Sequence, residues 1–254
     1  MLQLCYHTLG GWDHDMSVQP ERFRSQLELL LDRGYLGTTF TEAVLRPREG
    51  KWLALTFDDG FRAVHDEVLP VLRDLGLAAT AFVPTAFMGH SQLAWPGFDA
   101  GVGTPPDDLR PMSWAQVRAL VDAGWEIGSH SRTHPLLTRL DDAALADELV
   151  RSREECEAGA GQPCRSVAYP FGVVNDRVAA AAARAGYEAG ASLAPRRTGC
   201  GVLEVARTAI YRNDGERRFR AKVWQPLRST PAGLLINQVH RLLPHPHRQP
   251  PAPS

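Results

Sequence analysis

Short apolar segments alternate with amphipathic stretches along this sequence, and that alternation constrains its fold more than any other feature. Leu2–Tyr6, Trp52–Phe57, Ala78–Val83, Glu126–Ser129, Ser166–Tyr169, Glu188–Ser192 and Val205–Ile210 read as strands. Trp52–Phe57 is an apolar run, the mark of a strand buried on both faces. Between the strands, Pro20–Arg33 carries Phe23, Leu27, Leu30 and Leu31 at helical spacing and is stopped by Gly34. Ala63–Leu75 and Asp176–Ala185 have the same character. A capping box of Ser113 and Gln116 opens a helix to Ala123, and Asp141 caps another running to about Glu157. Such alternation implies parallel strands joined by right-handed crossovers. Seven or so units in 254 residues predict an α/β fold of one domain, a (β/α) barrel. Barrels of this kind gather their chemistry at the C-terminal ends of the strands.

Two segments break the rhythm. Thr85–Pro111 is rich in Gly, Pro and Asp and reads as a long loop, a length usually tied to function. A last helix is expected within Ala232–Leu243, followed by a frayed Pro-rich tail, Pro244–Ser254.

Composition excludes several classes. Hydrophobic residues make up 44% and charged residues 22%, so the bulk of the chain has the means to bury a core. The 28 basic and 29 acidic residues leave a net charge of −1, which predicts no nucleic-acid partner. No apolar run approaches the ~18 residues of a membrane span. Met1–His7 lacks a basic region and a long apolar core, so no signal peptide is expected, and the chain reads as cytoplasmic. Its cysteines, Cys5, Cys156, Cys164 and Cys200, have no zinc-finger spacing and read as reduced thiols, with a Cys156–Cys164 bridge as the minor alternative. Oligomeric state has no signature in the sequence.

Chemistry enters at two strand ends. Thr56-Phe57-Asp58-Asp59-Gly60 follows the apolar run. Two adjacent carboxylates there are costly unless a cation or a proton relieves them, although an Asp-Gly turn closing a strand is the plainer reading. His130-Ser131-Arg132-Thr133-His134 follows Glu126–Ser129. Two histidines four apart share one face of a helical turn, close enough to share a metal ion. Taken together, one carboxylate and two histidines make three protein ligands with an open position, the catalytic arrangement. The donors suit Zn²⁺, Co²⁺, Ni²⁺ or Fe²⁺, and the second carboxylate is left as a base.

From Leu2 to about Val223, these motifs resemble the polysaccharide deacetylases, carbohydrate esterase family 4 with its NodB homology domain. The resemblance implies a distorted (β/α) barrel over residues 1–243 and a hydrolase that removes N-acetyl groups from an amino sugar or polysaccharide. It implies Asp58 as catalytic base and Asp59, His130 and His134 as ligands of one divalent ion, most simply zinc. Ala168-Tyr169-Pro170-Phe171-Gly172 is similar to the family's Arg-Pro-Pro-Tyr-Gly motif, so the Phe171 N–H is expected at the oxyanion. Ala168 stands where the family has an Arg that orients the base. Arg207, in a late strand, is the expected substitute, with a structural salt bridge as its other reading. For the general acid the resemblance offers His7, at the end of the first strand, or His240 near the C-terminus. Phe87, Trp95 and Phe98 could stack on sugar rings or pack their own loop, and Trp12, His14 and Asp15 could line the site. A cyclic-ureide amidase on the same fold and a silent glycan-binding domain are the alternatives. A two-carboxylate glycosidase fits less well, because Asp58 and Asp59 are adjacent whereas such enzymes set their carboxyls roughly 5–9.5 Å apart.

Overall fold

A computed structural model describes residues 1–10, 13–91, 109–193 and 201–224. The strands are β1 (Leu2–Tyr6), β2 (Thr8–Leu9), β3 (Ser17–Val18), β4 (Leu36–Thr38), β5 (Trp52–Phe57), β6 (Thr80–Val83), β7 (Glu126–Ser129), β8 (Ser166–Ala168), β9 (Ala189–Ser192), β10 (Val205–Ala206) and β11 (Thr208–Ala209). The helices are α1 (Pro20–Leu31), α2 (Phe40–Leu45), α3 (Leu69–Asp74), α4 (Trp114–Asp122), α5 (Asp142–Ala160), α6 (Asp176–Arg184) and α7 (Glu216–Trp224). β2 and β3 form a small separate pair.

The main sheet runs β10-β9-β8-β7-β6-β5-β1-β11, and every pairing in it is parallel. β10 and β11 are one stretch of chain separated by Arg207 alone. Its first half pairs with β9 and its second half with β1, which closes the sheet into a barrel. Seven chain segments form the wall, as expected, and β4 lies outside this circuit against the first half of β5. Where one strand was expected over Val205–Ile210, the ladder changes partner at Arg207, and the strand is read as two.

Alternation along the strands sorts side chains into two sets. Leu4, Tyr6, Leu53, Leu55, Phe57, Ala81, Val83, Ile127 and Val167 join the large core with the helices. Each such aliphatic or aromatic chain contributes about 1.5–3 kcal/mol on burial. The opposite set is small and faces inward: Phe82, Ala168, Ala189 and Ala191 pack with Phe40 of α2. Phe40 meets Phe82 edge-on at 5.6 Å and fills the N-terminal end of the barrel. Beside it Glu126 accepts bonds from the Thr41 N–H, the Thr80 hydroxyl and the Ser166 hydroxyl. The sequence did not suggest α2, which is only 6 residues long.

Most expected helices are present, and Ser113 does form its capping box with Gln116. The segment expected as one helix from Ala63 is instead a wide π turn over Val64–Val68 leading into α3. Pro70 lacks the N–H that a continuous helix requires there. The last expected helix, the Pro-rich tail, most of the long loop and Cys200 lie outside the described residues. Cys5, Cys156 and Cys164 are buried free thiols. Among the described residues no helix is long and apolar enough to cross a membrane.

Candidate active site

β5 ends beside Asp58 and β7 ends beside His130, so the two motifs meet at one end of the barrel, at the C-terminal strand ends. Asp59, His130 and His134 offer ligand atoms within 4.8 Å of one another, and all three residues are buried. Asp59 Oδ1 lies 3.4 Å from His130 Nε2 and 3.5 Å from His134 Nε2. A tetrahedral ion with bonds of about 2.0–2.1 Å sets its ligand atoms roughly 3.3–3.4 Å apart, so the spacing fits. His130 Nδ1 donates to the Ala168 carbonyl at 2.8 Å, which leaves Nε2 as the atom able to ligate an ion. Thus the position that lacks the family's Arg orients a histidine through its backbone.

The histidines do not share a helical turn. His130–His134 is an irregular loop in which Ser131 and His134 both have φ of 59°. The turn expected from their spacing is replaced by left-handed residues that fold the loop back on itself. Asp59 (φ 72°) and Phe171 (φ 61°) complete the non-glycine residues with positive φ among those described. All four are at this site. A non-glycine residue in this region costs roughly 1–2 kcal/mol, and such strain collects where surroundings hold it for function.

Burial would raise the pKa of Asp58, but the Arg207 guanidinium together with His130 and His7 outweighs it and holds the carboxyl well below the usual range. Arg207 Nη1 and Nη2 each donate to one oxygen of Asp58 at 2.7 Å, and Nη1 also donates to Thr56 Oγ1. The guanidinium lies 5.3 Å from the centre of the Phe82 ring, directly above the apolar plug. Cys5 adds a thiol donor 3.4 Å from Asp58 Oδ2. Neither Thr56 nor Cys5 stood out in the sequence as a neighbour of this ion pair, since only the fold brings β1, β5 and the closing strand together.

Burial also opposes ionisation of Asp59, and the His130 hydrogen bond and nearby histidines bring its pKa below the ordinary value. Burial pulls His130 down, yet the Asp58 and Asp59 carboxylates carry it above 6.5. Burial and the charge of His130 draw His134 down to about 3, so His134 stays neutral and ready to ligate.

His7 lies here too: one ring nitrogen is within 4.8 Å of both Asp58 and Cys5. Its Nδ1 is buried and has no hydrogen-bond partner among the described residues. Cys5, His7 and Asp58 could be mistaken for a second metal set. Arg207 already neutralises Asp58, and burial raises the Cys5 pKa far above its ordinary value, so that set repels a cation. His240, Trp12, Trp95 and Phe98 lie outside the described residues. His14 and Asp15 are tied to their own surroundings: His14 Nδ1 accepts from the Met16 N–H, and Asp15 accepts from Arg212 and Asn213. Phe87 is half-buried.

Phe171 is 45% exposed, and its ring meets His134 edge-on at 4.9 Å. The bonds of its turn run from the Gly172 N–H to Tyr169 and from the Val173 N–H to Pro170, and neither uses the Phe171 N–H.

The sequence profile of the family described as polysaccharide deacetylase matches residues 45–190, more than half of the chain. The Bacillus subtilis (strain 168) protein YxkH, named as a polysaccharide deacetylase, is 26% identical over 198 residues, 76% of this chain and 64% of that protein. A Staphylococcus aureus (strain MSSA476) protein named poly-β-1,6-N-acetyl-D-glucosamine N-deacetylase is 23% identical over 192 residues, 70% of this chain and 61% of that protein. The chain therefore spans less than two thirds of the length of these curated relatives. In structure it is similar to the Streptococcus pyogenes deacetylase PplD in complex with acetate, with a TM-score of 0.72 and 22% identity, covering 88% of this chain and 97% of that one. At that identity the likeness is one of fold.

Proposed function

The chain belongs to the polysaccharide deacetylase family, and from that premise we propose that it is a metal-dependent hydrolase that removes N-acetyl groups from an amino sugar or its polymer. The observation that carries this reading is the division of labour between adjacent carboxylates. Asp59 faces two histidines, while Asp58 is clamped by Arg207. Neither is free to flank a glycosidic bond as a two-carboxylate glycosidase requires.

Asp59, His130 and His134 would hold one divalent ion, with zinc the simplest choice for this donor set. Such an ion supplies Lewis acidity toward an amide carbonyl and lowers the pKa of water. Asp58 takes the proton of the attacking water. The Arg207 guanidinium keeps Asp58 ionised at neutral pH and able to accept that proton. Arg207 fixes the direction from which Asp58 accepts that proton. The Phe171 N–H donates to the oxygen on which negative charge develops. His7 delivers a proton to the departing amine nitrogen as the C–N bond breaks. Acetate and a free amine are the products.

Residues 1–243 form the catalytic domain in this reading. Its substrate is an N-acetylated glycan or small amino sugar, in keeping with the name of the S. aureus relative. Acetate release from N-acetylglucosamine oligomers, abolished by a chelator, tests it. A protein that binds one ion per chain yet releases no acetate moves the substrate to another amide, such as a cyclic ureide. A bound ion with no turnover of any acetylated amine, together with retained binding of the oligomers, marks a silent glycan-binding domain.

A further inference from the structure

The loop that carries both histidines has no regular structure, so each of its N–H groups needs an acceptor. All five are satisfied. The His130 N–H donates to the Val83 carbonyl at 2.9 Å. The Ser131 N–H donates to Ser129 Oγ at 3.0 Å, and the His134 N–H to Ser131 Oγ at 3.1 Å. The two between them, Arg132 and Thr133, both donate to Glu148 Oε2, at 2.8 and 2.9 Å. Glu148 Oε1 takes the Thr133 hydroxyl as well.

Glu148 differs from the other acceptors. It is the one side chain from outside the loop and its strand, and it takes two consecutive amides. Consecutive N–H groups converging on an anion form a concave cradle, and here the anion belongs to the protein. The carboxylate comes from α5, a 19-residue helix capped by Asp141 at one end and by Gly161 in a left-handed conformation at the other. The same helical face delivers two further contacts, at i+4 and i+7. Ser152 Oγ accepts from Ser129 Oγ, and Glu155 binds the Arg132 Nε and the Thr85 hydroxyl.

We propose that Glu148 is the positioning residue of the metal centre: its carboxylate holds the loop in the left-handed turns at Ser131 and His134 that bring both Nε2 atoms to Asp59. This rests on the reading that Asp59, His130 and His134 hold the ion. Glu148 touches neither the ion nor the substrate. Its effect is to prepay the shape that the ligands need, so its loss appears first in affinity for the ion.

Titration of the apo-protein with Zn²⁺ and Co²⁺ against a chromogenic chelator tests this without reference to turnover. Glu148→Ala is expected to bind either ion about 10–100-fold more weakly, and to change the shape of the Co²⁺ absorption bands. Glu148→Asp keeps the charge but withdraws it by one methylene, and should fall between. Glu155→Ala gives up side-chain contacts only and should bind like wild type. A folded Glu148→Ala with wild-type affinity and spectrum overturns the inference. If that variant does not fold, wild-type affinity in Glu148→Asp overturns it. A wild-type protein that binds no ion overturns the metal-centre reading itself, and this inference with it.

Discussion

Arg207 sits on the seam where the barrel closes and holds both carboxylate oxygens of Asp58 at 2.7 Å. Its neighbours Val205–Ala206 pair with β9 and Thr208–Ala209 pair with β1, so the residue that clamps Asp58 is carried by the strand that completes the wall. Truncating one partner of a buried charge pair typically costs about 3–5 kcal/mol, because the other charge is left uncompensated. Closure and orientation are thus one contact, and only a charge-preserving substitution separates them.

Arg207→Lys keeps the charge and loses the planar fork. Asp58 is then free to rotate, and misplacement of a reacting group by an ångström costs on the order of a hundredfold in rate. The variant should lose that much kcat while binding one ion per chain like wild type. Wild-type turnover would reduce Arg207 to a structural salt bridge.

His7→Ala should lower kcat by about 10²–10⁴, the usual contribution of a general acid, with metal content unchanged. Substrates with a better leaving amine should recover part of the loss. A variant with an unchanged rate assigns the proton to another group, and His240→Ala is the next to measure.

Phe171 contributes a backbone N–H in this account, so the ring itself is dispensable to the oxyanion. Glycine keeps the N–H and suits φ 61° better than phenylalanine does. Phe171→Gly should therefore retain kcat within severalfold, and what it changes should fall on KM through loss of the exposed ring. A collapse of kcat at unchanged KM would contradict the assignment.

Metal binding should release protons, with a sign fixed by the two histidines. The Asp58 and Asp59 carboxylates hold the His130 pKa above its ordinary value, so as pH falls His130 takes up a proton that the ion must displace. His134, at about 3, contributes none. Calorimetric titrations at pH 6 and pH 8 in buffers of different ionisation heat should show a histidine proton released on binding at the lower pH. Affinity should fall as pH drops through and below the His130 value. No proton release at pH 6 would contradict this balance of charges.

Much of the site was legible because its signals are local. An apolar run ending in two aspartates is a strand end with a cation beside it, and it is found there. Arg207 was legible only through the family resemblance, which places an Arg where this chain has Ala168 and points to a late strand for its substitute. The shape of the histidine loop was not legible, because spacing alone suggests a helical turn. The left-handed residues Ser131 and His134 are maintained by acceptors remote in sequence, above all Glu148. α2 and β4 escaped notice for a related reason. Each is shorter than the window over which periodicity can be read, and each is stabilised by its neighbours rather than by its own pattern, β4 by pairing with β5 and α2 by packing against β5 and β9.

The central claim is that Asp59, His130 and His134 hold an ion on which acetyl removal depends. It is tested most directly by comparing the wild-type protein with Asp59→Asn for metal content and for acetate release from N-acetylglucosamine oligomers. The wild-type protein should carry about one divalent ion per chain, lose activity to a chelator and regain it on reloading, while Asp59→Asn retains the fold but neither ion nor activity. Acetate release that survives complete removal of the ion, or an Asp59→Asn variant as active as wild type, would contradict the account.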